Sequence, residues 1–148
     1  MKFLFGLLVF PFLLHAQSPT IHYTISMPRP WTHLFEVEAV FDNFPATEST
    51  IDLMLPVWRS GRYVIFDFPG SVVQFKASNS DNTPLVFSKI DKSTWRLQKG
   101  TSRSVVARYT VFANDFTTRK CGLNDEHTFI NGAMCFSITS SSANCRLP

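Results

Sequence analysis

The chain has 148 residues, a formal net charge of +3, and 45% hydrophobic and 14% aromatic residues, which fits one domain around one core. Its arginines, Arg59, Arg62, Arg96, Arg103, Arg108 and Arg119 among them, are scattered among carboxylates. Phosphate recognition needs a concentrated basic face, so no nucleic acid is expected as a partner.

The chain opens with the pattern of an export signal. Lys2 gives a positive start, Phe3 to Leu14 is an apolar run of about a dozen residues, and Ala16 is a small residue at a cleavage point. The run contains Pro11 and is shorter than the roughly 20 residues of a spanning helix, so no membrane span is expected after its removal. The organisation predicted is a signal at 1–16 and a β-domain over 17–148, exported to the periplasm or secreted. Cys121, Cys135 and Cys145 match no zinc or redox spacing. Being three in number, they form at most one bridge within the chain, and buried free thiols are the other reading.

From Ile21 the pattern has a period of two: Ile21, Tyr23 and Ile25 alternate with polar residues. His33 to Phe41 continues it with Phe35, Val37, Ala39 and Phe41 on one face. Ile51, Leu53 and Leu55 predict a third strand. Leu55 to Phe68 then reads as a corner between two strands: Pro56 cannot donate to a ladder, Gly61 can take positive φ, and Trp58 is expected inside the turn against the core, with Arg59 and Arg62 facing solvent. Tyr63 and Asp67 complete this structural corner.

Val72–Ala77 and Leu85–Ile90 flank a polar turn tract, Asn79 to Pro84, and are expected to pair as a hairpin. Thr94–Leu97 and Ser104–Ala113 repeat the arrangement around Lys99-Gly100. No stretch of ten or more residues beyond Ala16 holds amphipathic helical spacing. The fold predicted is therefore all-β, with short antiparallel strands in a sandwich or a saddle-like pair of sheets. Asp125 to Phe136 is expected to be a late hairpin, and Thr139 to Pro148 to carry no closing strand, as in a chain truncated before a further domain.

No catalytic constellation emerges. There is no His-Glu-x-x-His to put two imidazoles and a general base on one helical face, no Gly-x-Ser-x-Gly, no phosphate loop and no dinucleotide fingerprint. His22, His33 and His127 lie in separate segments. Asp125, Glu126 and His127 are adjacent, and consecutive residues in a strand point to opposite faces. No catalytic and no metal-binding residue is assigned.

His33-Leu-Phe-Glu-Val37, Leu55-Pro-Val-Trp58, Gly61-Arg-Tyr-Val-Ile-Phe-Asp-Phe68, Asp91-Lys-Ser-Thr-Trp95 and Phe129-Ile-Asn-Gly-Ala133, in this order, resemble the N-terminal domain of the M61 glycyl aminopeptidase family. The corner of that family usually reads Trp-Thr-Pro-Gly-Ser-Tyr, so Arg59, Ser60 and Arg62 are departures here. The resemblance implies a non-catalytic β-domain preceding a helical, thermolysin-like domain. That second domain would hold the zinc, so no cofactor is expected in this chain and it is expected to be inactive alone. The implied partner is the catalytic peptidase domain, or a peptide bound beside it. By analogy with aminopeptidases whose β-domain lends a loop to the substrate's amino end, Asn131 and Gly132 are candidate substrate-binding residues. The other reading of Asn131-Gly132 is an ordinary type I′ turn. An autonomous exported β-sandwich that binds a peptide, glycan or protein is the alternative function.

Overall fold

The computed structural model describes residues 20–58, 61, 63–117, 119–135 and 138–140. The predicted signal, together with Arg59, Arg62 and Cys145, lies outside them. Ten strands and little helix confirm the all-β expectation: β1 Thr20–Ser26, β2 Leu34–Asp42, β3 Thr50–Met54, β4 Val72–Asn79, β5 Phe87–Lys89, β6 Thr94–Gln98, β7 Val105–Phe112, β8 Gly122–Leu123, β9 Thr128–Phe129 and β10 Ile138–Ser140. Short 3-10 turns at Pro30–Thr32 and Pro69–Ser71 and a single helical turn, α1 (Gly132–Cys135), complete the described elements.

Two four-stranded antiparallel sheets form the body. The first has the order β1-β2-β7-β4 and the second β10-β3-β6-β5, while β8 and β9 form a small ribbon. The alternation in β2 sends Phe35, Val37, Ala39 and Phe41 into the core, each no more than 2% exposed, because successive side chains of a strand point to opposite faces. Burying a side chain such as Phe35 or Phe41 contributes about 1.5–3 kcal/mol. On the outer faces, cross-strand neighbours are ion pairs: Arg96 forks onto Asp52 through two 2.7 Å bonds, and Arg108 Nε donates to Glu38 at 2.7 Å.

The long strands of the first sheet are covered by two different layers. One cluster joins Ala39, Phe41, Ala77, Val105 and Ala107 to Ile51, Leu53, Trp95 and Leu97 of the second sheet. The other joins Phe35, Val37, Tyr109 and Val111 to Phe68, Cys121, Leu123, Met134 and Cys135. Phe75 links them, stacked on Trp95 at 5.1 Å and on Tyr109 at 6.1 Å. It sits within a register irregularity of β4 between Val73 and Lys76, where Gln74 takes φ 55°.

The first expected hairpin forms only beside its turn, where Leu85 N–H donates to Ala77 O at 2.9 Å and Ser78 pairs with Pro84, and the second is corrected. β4 pairs with β7 and β5 pairs with β6, so the tract Asn79 to Pro84 carries the chain from one sheet to the other. Its turn chemistry is as read: Asn79 Oδ1 accepts the N–H groups of Asp81 and Thr83. Likewise β6 and β7 belong to opposite sheets, and the connection through Lys99-Gly100 is a crossing. Lys99 is 4% exposed, and its Nζ donates to the carbonyls of Pro45 (2.9 Å), Ser102 (3.0 Å) and Gly100 (3.4 Å), so this crossing is organised around one buried ammonium. The expectation of no strand from Thr139 onward is corrected at its start, since Ile138–Ser140 pairs with β3. Residues 141–148 lie outside the described residues.

Candidate docking surface and C-terminal ribbon

The stretch from Leu55 to Phe68 is anchored at both ends. Leu55 and Phe68 are each 1% exposed, Leu55 N–H donates to Ser93 O at 3.0 Å, and Phe66 N–H donates to Val57 O at 2.8 Å, closing the base of a loop. Asp67 accepts Gly70 N–H at 3.2 Å and meets Lys92 Nζ at 3.0 Å, which holds its carboxyl below the ordinary carboxylate value. Gly61 has φ +83°, the left-handed conformation the sequence assigned to it. Pro56 is half-buried beside Leu55.

Two parts of the corner reading are corrected. The chain does not enter a second strand after Gly61; the next strand is β4, which begins at Val72. The indole does not pin the turn against the core either, because Trp58 is 54% exposed. Phe68 fills the available core position with Phe66 stacked on it at 4.9 Å, and Leu55 fills the other, so Trp58 is left outside. Tyr63, Val64 and Ile65 are also exposed, at 99%, 58% and 79%. A loop closed at its base thus presents four large apolar side chains to solvent.

The second candidate region follows β7. His33, held at φ 58° where β2 begins, accepts Ala113 N–H on its carbonyl and bonds Leu123 O through Nδ1 at 2.5 Å. The ribbon is thereby fastened to the first sheet. Its turn is made by Asn124, whose Oδ1 accepts the N–H groups of Glu126 (2.9 Å) and His127 (2.6 Å). Glu126 and His127 approach only to 3.8 Å, with both side chains exposed, and make no buried acid–base pair. Gly122 is pressed against the Phe116 ring, which a Cβ would meet at 2.6 Å.

Asn131-Gly132 is not a type I′ turn. Gly132 opens α1, and neither residue is among those with positive φ. Asn131 acts as the cap of that turn, its Oδ1 accepting Ala133 N–H at 3.3 Å and its carbonyl accepting Met134 N–H at 2.9 Å. Its Nδ2 donates to Arg119 O at 3.4 Å and its backbone N–H to Cys121 Sγ at 3.1 Å. Both ends of the Asn131 amide are therefore engaged within the chain, while the neighbouring Phe129 and Ile130 are exposed. Cys121 and Cys135 are both fully buried free thiols, one of the two readings of the sequence, but their sulfurs lie 3.4 Å apart, a meeting that their spacing did not signal.

A groove of about 410 Å³ runs over the outer face of the first sheet beside Glu36, Glu38, Lys76 and Arg108. It mixes polar and apolar lining and holds the Arg108–Glu38 pair, with no nucleophile–base arrangement. Among the described residues no group of three or more His, Cys, Asp or Glu could hold a metal ion. The zinc implied by the resemblance finds no donor set in them, and no chemistry of this chain is routed through it.

The sequence model of the peptidase M61 N-terminal domain matches residues 22–145, and the chain belongs to that family. Among solved structures it is similar to an aminopeptidase N family protein from Idiomarina loihiensis, with a TM-score of 0.75 and 25% identity. That alignment covers 83% of this chain and 20% of the other, so this chain spans about a fifth of the length of the protein it matches. No curated protein matches the chain.

Proposed function

We propose that this chain is the non-catalytic β-domain of an exported M61-type zinc aminopeptidase. In this reading it docks on the catalytic domain through the loop between Leu55 and Phe68 and helps shape the substrate site with the β8–β9 ribbon. The observation that carries the reading is the exposed set Trp58, Tyr63, Val64 and Ile65 on a loop anchored at both ends. Several large apolar side chains exposed on one short loop are a feature of interaction sites, and family membership supplies a partner of the right class. Phe129 and Ile130 extend the apolar character to the ribbon. Asn131 and Gly132 serve the substrate side by position: Asn131 caps the turn that holds the ribbon end in place. Export is proposed on the pattern of Met1 to Ala16, and the zinc is assigned to the catalytic domain.

The test is binding of the purified chain to a separately produced M61 catalytic domain. Trp58→Ser combined with Ile65→Ser should weaken binding at least about tenfold, as truncation of interface anchors does. Because both side chains are exposed, the melting temperature should stay within the equivalent of about 0.5 kcal/mol. The unpartnered chain should also bind a hydrophobic dye or self-associate, and the double variant should lose this. Unchanged binding in the variant would overturn the assignment of the loop. A dye-silent monomer that ignores the catalytic domain would favour a self-contained binding module.

A further inference from the structure

Cys121 lies immediately before β8 and Cys135 ends α1, fourteen residues further on. The chain returns between them through β8, the Asn124 turn, β9 and Asn131, and brings the two sulfurs to 3.4 Å in a fully buried position. Their neighbourhood is closed: Cys121 Sγ receives Asn131 N–H at 3.1 Å, Cys121 N–H points to the Met134 sulfur at 3.2 Å, and the Cys135 carbonyl receives Tyr109 Oη at 2.6 Å. The pair therefore sits where the ribbon, α1 and the first sheet meet. The unit's own secondary structure is four residues of helix and two-residue strands, elements too short to be stable unaided, so it depends on its packing and bonds to the first sheet.

We propose that Cys121 and Cys135 are a disulfide-forming site that staples the C-terminal unit to itself. The thiolate of Cys121 attacks one sulfur of a small-molecule disulfide such as glutathione disulfide and releases one glutathione thiolate. Cys135, giving its proton to solvent, then attacks the Cys121 sulfur of the mixed disulfide and expels the second glutathione. Two protein thiols are oxidised, one glutathione disulfide is reduced to two thiols, and the sulfurs close to about 2.05 Å. With both sulfurs inaccessible in the folded chain, the exchange takes place while α1 is undocked. The inference is independent of what the exposed loop docks against.

The experiment takes the reduced full chain and its Cys145→Ser variant, exposes each to a glutathione redox buffer, and follows alkylation under denaturing conditions with a non-reducing peptide map. Both proteins should lose two alkylatable thiols and yield a peptide linking Cys121 to Cys135. A closed loop of about 15 residues should raise the melting temperature by about 10 °C over the reduced protein. Alkylation of both cysteines after oxidation, or linkage of either one to Cys145 in the unmutated chain, overturns the proposal. A linked pair that melts no higher than the reduced chain overturns the stapling role.

Discussion

Tyr109 Oη donates a 2.6 Å hydrogen bond to the backbone carbonyl of Cys135, joining the middle of β7 to the last residue of α1 across 26 positions of sequence. The phenol is 3% exposed and its ring packs with Phe35, Val37 and Phe68, so the bond is made within the core cluster that supports the ribbon. The hydroxyl thus binds the C-terminal unit to the sheet with a specific geometry that apolar packing alone does not impose.

Tyr109→Phe keeps the ring and removes the donor, leaving the Cys135 carbonyl without this partner. The expected cost is about 1–2 kcal/mol, a fall of several degrees in melting temperature. Hydrogen exchange should separate local from global loss: amides of Ala133 to Cys135 should exchange faster, with β2 and β7 little changed. Equal acceleration across the molecule would mean that the bond is not a local fastening.

Lys99→Met keeps most of the apolar stem but deletes the ammonium that serves three carbonyls. Unpartnered buried carbonyls make this costly, about 2 kcal/mol by urea or thermal denaturation. Lys99→Ala should lose more, because the stem packing goes as well. A neutral result for Lys99→Met would show that the crossing between the sheets is held by Phe44 and its apolar neighbours without the charge.

Acid stability should follow three surface carboxylates held below their ordinary value of 3.8: Asp67 chiefly by its bond from Lys92, Asp91 by Ser93 N–H and Asp115 by Thr117. A carboxyl that is more acidic in the folded than in the unfolded chain contributes stability that is complete above the unfolded value, declines below it, and is lost as pH falls through the folded value. The melting temperature should therefore be nearly flat from pH 7 to about pH 5 and decline below about pH 4. Asp67→Asn should make that decline shallower and lower the neutral-pH value slightly, as expected for an exposed pair. An unchanged acid limb in the variant would remove Asp67 from the account.

What the sequence alone determined is what depends on local pattern. The period of two in β2 was enough to name Phe35, Val37, Ala39 and Phe41 as the inward face, because alternation along a strand is a property of the backbone. Gly61 announced its positive φ, the polar tract from Asn79 announced a turn, and the ordered motifs pointed to the family that the comparison then showed.

Tertiary structure decided which strand pairs with which. A turn sequence says that the chain reverses, but β4 bonds to β7 and β5 to β6 because each apolar face must cover a different part of the core. It also decided Trp58, an apolar residue that a sequence reader places inside; Leu55 and Phe68 had already taken the core positions on either side of it. Asn131-Gly132 suits a tight turn and a helix start alike, since both use an Asn side chain near its own backbone. The contacts of Cys121 with Asn131 and of Tyr109 with Cys135 accompany the helical choice. These are meetings of distant segments, and no local pattern encodes them.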